Sequence, residues 1–161
     1  MPDARVRRRA CLSLDKERRA GFREAVRGAI VPVAERRSMY VLVVDDSVRV
    51  RQRLVEMVSA LPGVDHVDTA ARAAEALQKI AERPPDVMTL DLQMPGGGGL
   101  DVLAAIRAEG RSIVTIVLTN YSTDPYRTMC LRAGAQFFFD KSTQVQHAID
   151  LVERLAGAKE R

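Results

Sequence analysis

Two cysteines in 161 residues, Cys11 and Cys130, lie far apart and match no metal-ligand or redox spacing. Free thiols in a reducing compartment are expected, not a disulfide framework. No apolar run approaches the about 18 residues of a membrane span, and no apolar stretch follows the N-terminal arginines as a secretory signal requires. These absences predict a cytoplasmic chain that does not enter a membrane. There is no GxxxxGK[ST] phosphate loop. The glycine run at 96–99 is no dinucleotide fingerprint either, because Asp101 stands where a third glycine would be needed after Gly96 and Gly98. Aromatics are scarce, and the first 38 residues contain only Phe22, which leaves almost nothing to stack on nucleic-acid bases.

What is present describes a folded domain. A hydrophobic share of 47% beside 29% charged residues, in a chain of this length, suffices for one core without general disorder. The net charge of +4 is unevenly placed. Residues 1–38 hold 11 Lys/Arg against 5 Asp/Glu, and residues 39–161 hold 14 against 16. The basic character therefore belongs to an N-terminal extension, and the slightly acidic remainder does not point to DNA. Within the extension, residues 15–30 offer a helix with Phe22, Val26 and Ile30 on one face, a stripe too thin for a core. A flexible or partly helical tail, or upstream sequence before a natural start at Met39, is the expectation.

From Met39 the pattern alternates strand and helix five times. Strands are predicted at 40–44, 64–69, 86–90, 113–118 and 136–139. The segments between them carry apolar residues at helical spacing, such as Leu54, Val58 and Leu61, or Val145, Ile149 and Val152. Turn residues fall between them, as at Pro62-Gly63, Pro84-Pro85, Gly110 and Gly134. The first, third and fourth strands are near-continuous apolar runs, as for strands covered on both faces. The fold class is thus α/β, a doubly wound (βα)5 sandwich around a five-stranded parallel sheet. The domain is set at 39–157, with 158–161 as a short tail and no output domain attached.

Chemistry gathers at the strand ends. Asp45-Asp46 closes YVLVVDD, Asp91 closes VMTLD, Thr119 closes IVTIVLT and Lys141 closes FFFDK. In an open parallel sheet those ends converge on one crevice, where ligands bind. Carboxylates about 4 Å apart repel by roughly 4 kcal/mol per pair at an effective dielectric near 20, so the cluster needs a cation. All-oxygen ligation suits Mg²⁺, or Mn²⁺ in its place. A lysine and a hydroxyl beside it suit phosphoryl oxygens, and an aspartate can itself become an aspartyl phosphate. Singly, each residue has a duller reading: an Asp caps the first helix, as Ser47 also can, Thr119 bonds backbone, and Lys141 is solvated. The three consecutive phenylalanines before Asp140 serve the core. All five positions together exceed coincidence.

In this order and spacing, the residues resemble the receiver domain of two-component response regulators, over 39–156. The resemblance implies a flavodoxin-like fold and a phosphoprotein of phosphorelay signal transduction. Asp45 and Asp46 would bind Mg²⁺, Asp46 directly. Asp91 would be both phosphoacceptor and metal ligand, and the Gln93 backbone carbonyl would complete the metal site. Thr119 would be the switch hydroxyl, Lys141 the phosphoryl contact, and Phe138 the switch aromatic, moving inward on phosphorylation. Gln93 and Tyr121 would line the path of water and tune the lifetime of the phosphoryl group. The implied donor is a sensor histidine kinase or a phosphotransfer protein. The implied output is a partner protein, or a phosphorylation-dependent homodimer, at the face of the fourth helix, fifth strand and fifth helix. The family often has proline where Ser142 stands, so no cis peptide is carried over. The glycines at 96–99 predict a mobile loop.

The reading is of a binding module, not an enzyme; it catalyses only its own Mg²⁺-dependent phosphorylation and dephosphorylation. One alternative is an aspartyl-nucleophile phosphatase, for which adjacent aspartates replace the usual Asp-x-Asp. Another is accessory nucleic-acid binding through residues 5–37.

Overall fold

The computed structural model describes residues 38–96 and 98–159. Residues 1–37, with the helix predicted at 15–30, lie outside the described residues, as do the last two. Five strands, β1 Met39–Val44, β2 Val64–Ala70, β3 Val87–Leu90, β4 Val114–Thr119 and β5 Phe137–Asp140, alternate with five described helices. The helices are α1 Val48–Ser59, α2 Ala73–Glu82, α3 Gly99–Ala108, α4 Asp124–Ala133 and α5 Val145–Lys159. The strands pair in parallel in the order β2-β1-β3-β4-β5.

Alternation along each strand divides the core into two layers. Leu42 and Val44 of β1, with Met88 and Leu90 of β3, meet the inner faces of α2, α3 and α4. Val41 and Val43, with Ile116 and Leu118, meet Leu54 and Val58 of α1 and Ile149 and Val152 of α5. The central strands β1 and β3 are buried throughout, whereas the edge strand β2 keeps Asp65 and His66 exposed. Each such fully buried side chain contributes about 1.5–3 kcal/mol of transfer free energy.

The ends of the elements follow local chemistry. Ser47 caps α1, its hydroxyl accepting from the Val50 N–H. Gly134 ends α4 at φ 113°, a left-handed conformation that glycine adopts without a Cβ clash. Every predicted strand is found, with ends displaced by one residue. β3 begins at Val87, although the Asp86 backbone still bonds both neighbours, its N–H donating to the Tyr40 carbonyl at 2.9 Å and its carbonyl accepting the Val114 N–H at 3.0 Å. The Asp86 carboxylate accepts the Tyr40 N–H and pairs with Lys159. β5 reaches Asp140, which pairs with Thr119. The last helix runs to Lys159, so the tail set apart at 158–161 begins inside it. Lys159 is held there by Asp86 at 2.6 Å and by the Ser38 carbonyl at 2.8 Å.

Strand order decides where a site can form. The chain leaves β1 toward β2 on one side and returns to β3 on the other. The crevice at this reversal opens above the C-terminal ends of β1 and β3.

Candidate functional site

Asp45 follows β1 and Asp91 follows β3, and the ladder sets them side by side: the Asp91 N–H donates to the Val44 carbonyl at 2.9 Å. Asp45, Asp46 and Asp91 each offer a carboxylate oxygen, and these oxygens lie within 4.8 Å of one another. Asp45 and Asp91 are buried, and Asp46 is exposed. A cleft of about 430 Å³ adjoins them, lined by Asp46, Leu92, Gln93, Met94 and Pro95. Lys141 Nζ lies 2.6 Å from Asp45 Oδ2 and 2.6 Å from Asp91 Oδ2. The Ser47 N–H holds the other Asp45 oxygen at 2.9 Å.

The electrostatics describe a pocket short of positive charge. Burial raises the Asp45 carboxyl above its ordinary value, and the bonds from Lys141 and the Ser47 N–H only partly offset it. Burial also disfavours the Lys141 ammonium, but the bonds from Asp45 and Asp91 outweigh it and hold its pKa above that of a free lysine. Three ionised carboxylates against this one ammonium would leave a charge of −2. A small divalent cation matches both that charge and the all-oxygen donor set.

Of the remaining sequence-predicted residues, Gln93 lines the cleft, Thr119 ends β4, Tyr121 follows it and Phe138 lies in β5. Thr119 is 0% exposed, and its hydroxyl oxygen accepts the Tyr121 N–H at 3.3 Å. Gln93 is exposed on the loop after Asp91, its N–H directed to Asp91 Oδ1 at 3.4 Å. Tyr121 is 43% exposed and rests edge-on against Tyr126, with centroids 5.9 Å apart. Phe138 packs in the layer under α3 and α4 at 3% exposure, with the Arg127 guanidinium 5.6 Å over its ring. The ring therefore already lies inward, where the sequence reading has it arriving on phosphorylation. The Lys141–Ser142 peptide is trans.

Other contributors escaped the sequence reading. Arg51 Nη1 donates to the Asp45 carbonyl at 2.6 Å and to the Asp46 carbonyl at 2.9 Å, fixing the backbone that bears both carboxylates. Its place one helical turn past the aspartates is the only signal in the sequence. Gly99, expected in the loop at 96–99, belongs instead to α3. It opens α3 against the end of β3, where a Cβ would stand 2.3 Å from the Asp91 carbonyl oxygen. Nothing in a run of four glycines singles it out. Asp140, beside Lys141, accepts hydrogen bonds from two neighbouring loops.

Residues 41–153 match the response regulator receiver domain family. The chain is similar to a protein-glutamate methylesterase/protein-glutamine glutaminase of Nocardioides sp., 42% identical over 107 residues, covering 65% of this chain and 29% of the relative. It is also similar to the response regulator GacA of Pseudomonas viridiflava, 33% identical over 121 residues, covering 75% of this chain and 56% of the relative. The chain thus spans under a third of the first relative's length and just over half of the second's. Among solved structures, the response regulator domain of Thermotoga maritima CheB aligns at a TM-score of 0.66 and 28% identity, over 78% of this chain and 98% of that one. The signal receiver domain of the putative response regulator NarL from Mycobacterium tuberculosis aligns at 0.68 and 28%, over 74% and 97%. Fold, strand-end site and family match coincide: the chain belongs to the response regulator receiver domain family.

Proposed function

We propose that Asp91 accepts a phosphoryl group from a sensor histidine kinase or phosphotransfer protein, and that the product switches a protein-binding face. The observation that carries this reading is the cluster of Asp45, Asp46 and Asp91 with Lys141 bonded to two of them. Asp45, Asp46, Asp91 and the Gln93 carbonyl would hold Mg²⁺ or Mn²⁺, which when bound neutralises the donor phosphoryl oxygens and orients them. A carboxylate oxygen of Asp91 attacks phosphorus as the donor's P–N bond breaks, and the imidazole nitrogen keeps the electron pair. Lys141, 2.6 Å from Asp91 Oδ2, is placed to pair with the new phosphoryl oxygens. Because Thr119 Oγ1 accepts the Tyr121 N–H, its own proton is free to donate to them.

The proposed output face is α4–β5–α5, for a downstream protein or a second copy. α4 buries only Cys130 and exposes Tyr126, Met129 and Leu131. The receiver occupies the chain from Met39 through α5, and residues 1–38 form an extension. No described helix is long and apolar enough to cross a membrane. We place the protein in the cytoplasm, as a signalling module whose catalysis is confined to its own phosphorylation and dephosphorylation.

The test is incubation with acetyl phosphate and intact-mass measurement. One phosphoryl mass is expected on the wild type, and none on Asp91→Ala or in the presence of EDTA. Label that survives either change contradicts the proposal.

A further inference from the structure

Asp140 has no role in holding a metal and does not touch Lys141 Nζ, whose partners are Asp45 and Asp91. Its carboxylate is nevertheless densely engaged. One oxygen, Oδ1, accepts the Ser142 N–H at 2.8 Å, the Thr143 N–H at 3.1 Å and the Ser142 hydroxyl. These bonds wind the turn that carries Lys141 into α5. The backbone adds two more, the Asp140 N–H to Gln144 Oε1 at 2.9 Å and the Gln144 N–H to the Asp140 carbonyl at 2.8 Å. The second oxygen, Oδ2, reaches away from this turn and accepts the hydroxyl of Ser122, 18 residues earlier in the loop after β4. That loop also carries Tyr121, whose N–H occupies the Thr119 hydroxyl oxygen. The Lys141 N–H completes the circuit, donating to the Thr119 carbonyl at 2.9 Å.

A helix cap needs only the first oxygen; the bond to Ser122 serves no helix. It ties the loop bearing the Thr119 partner to the turn bearing Lys141. We propose that Asp140 is a positioning residue for phosphoryl transfer, its carboxylate clasping the loops after β4 and β5 so that the Lys141 ammonium and the Thr119 hydroxyl keep one geometry around Asp91. The inference rests on the reading of Asp91 as the phosphoacceptor. The donors around Asp140, Ser122 first and Ser142 next, hold its carboxyl far below the usual carboxylate range. Reaction rates fall steeply when reacting groups are misplaced by about an ångström. Loosening the clasp therefore acts on the rate, not on the metal ligands.

Three variants separate this from the alternatives. Acetyl phosphate labelling should slow about tenfold in Asp140→Ala, the order expected when hydrogen bonds to a charged group are lost. Ser122→Ala, which leaves the turn before α5 intact, should slow it about threefold. Asp140→Asn should restore most of the rate, because its amide oxygen accepts the same N–H groups and its NH₂ can donate to the Ser122 oxygen. Mn²⁺ affinity, measured by electron paramagnetic resonance, should be unchanged in all three. A purely electrostatic effect of Asp140 would make Asp140→Asn behave like Asp140→Ala. A purely capping role would leave Ser122→Ala at the wild-type rate and show only as lower thermal stability of Asp140→Ala. Either result overturns the clasp, as does a changed Mn²⁺ affinity. An unlabelled wild type overturns the phosphoacceptor reading instead, so the two failures are told apart.

Discussion

Lys141 serves two carboxylates at once, and that double engagement explains why so acidic a pocket can exist in a folded core. Buried in isolation, Asp45 and Asp91 would each pay a desolvation cost of several kcal/mol. The ammonium between them offsets part of it while leaving room for a divalent ion on the Asp46 side. Tyr121 poses a different question at this scale. Its ring leans on Tyr126, large and without a carboxylate to activate water. On the reading that it shields the phosphoryl group, Tyr121→Ala should hydrolyse its aspartyl phosphate about threefold faster, or roughly 0.6 kcal/mol less barrier. Phosphate release from purified phosphoprotein measures this, and equal rates or a slower variant would remove Tyr121 as the shield. The burial of Phe138 was legible in the sequence, because strand alternation sends it to the face opposite Phe137 and Phe139. Its inward position under Arg127 was not, since that depends on how the preceding helix α4 packs back against β5.

At the scale of elements, strands and helices were legible because the short continuous apolar runs of β1 and β4 differ plainly from the three-and-four spacing along α5. Loop geometry was less so. The Arg51 bonds to two carbonyls and the Ser122–Asp140 bond depend on rotamers and turn conformations that no spacing rule encodes. The junction of β2 and α2 gives a test of how elements are fastened. Lys79 of α2 lies 2.6 Å from Asp68 of β2, both side chains partly exposed. Burial pushes the Asp68 carboxyl up, but the Lys79 bond, the Thr69 N–H and the Lys79 charge together pull it below its usual value of 3.8. A carboxylate with a depressed folded pKa stabilises above its unfolded pKa and loses that contribution as pH falls through the folded one. Lys79 is raised above 10.5, so the pair weakens from the alkaline side only beyond that value. Allowing for solvent screening, Asp68→Asn should cost about 0.5 kcal/mol in urea unfolding at pH 7. The two proteins should converge well below pH 3.8. A gap that persists unchanged in acid would contradict the ion pair as its source.

For the whole molecule, topology makes the site. The reversal of strand order between β1 and β3 brings together residues 46 positions apart, Asp45 and Asp91, with no loop adjustment needed. That is why the acidic cluster could be read from strand ends alone. Lys141 and Thr119 follow for the same reason, each ending or succeeding its own strand. The output face is a proposal of another kind, because it requires the ends of β4 and β5 to carry a change to α4 and α5. Adding beryllofluoride with Mg²⁺ should shift amide resonances in α4 (124–133), β5 and the start of α5, as a two-state equilibrium is displaced. Shifts confined to residues beside Asp45, Asp91 and Lys141 would leave the switch without support.

The central claim is that a single carboxylate, Asp91, takes the phosphoryl group. Reductive trapping tests it most directly. The protein is phosphorylated with acetyl phosphate and Mg²⁺, reduced with borohydride so that an acyl phosphate becomes homoserine, and sequenced as peptides by mass spectrometry. The expected result is homoserine at position 91 alone, absent when EDTA is present. Homoserine at 45 or 46, or none in a protein that carries phosphoryl mass, would contradict the account.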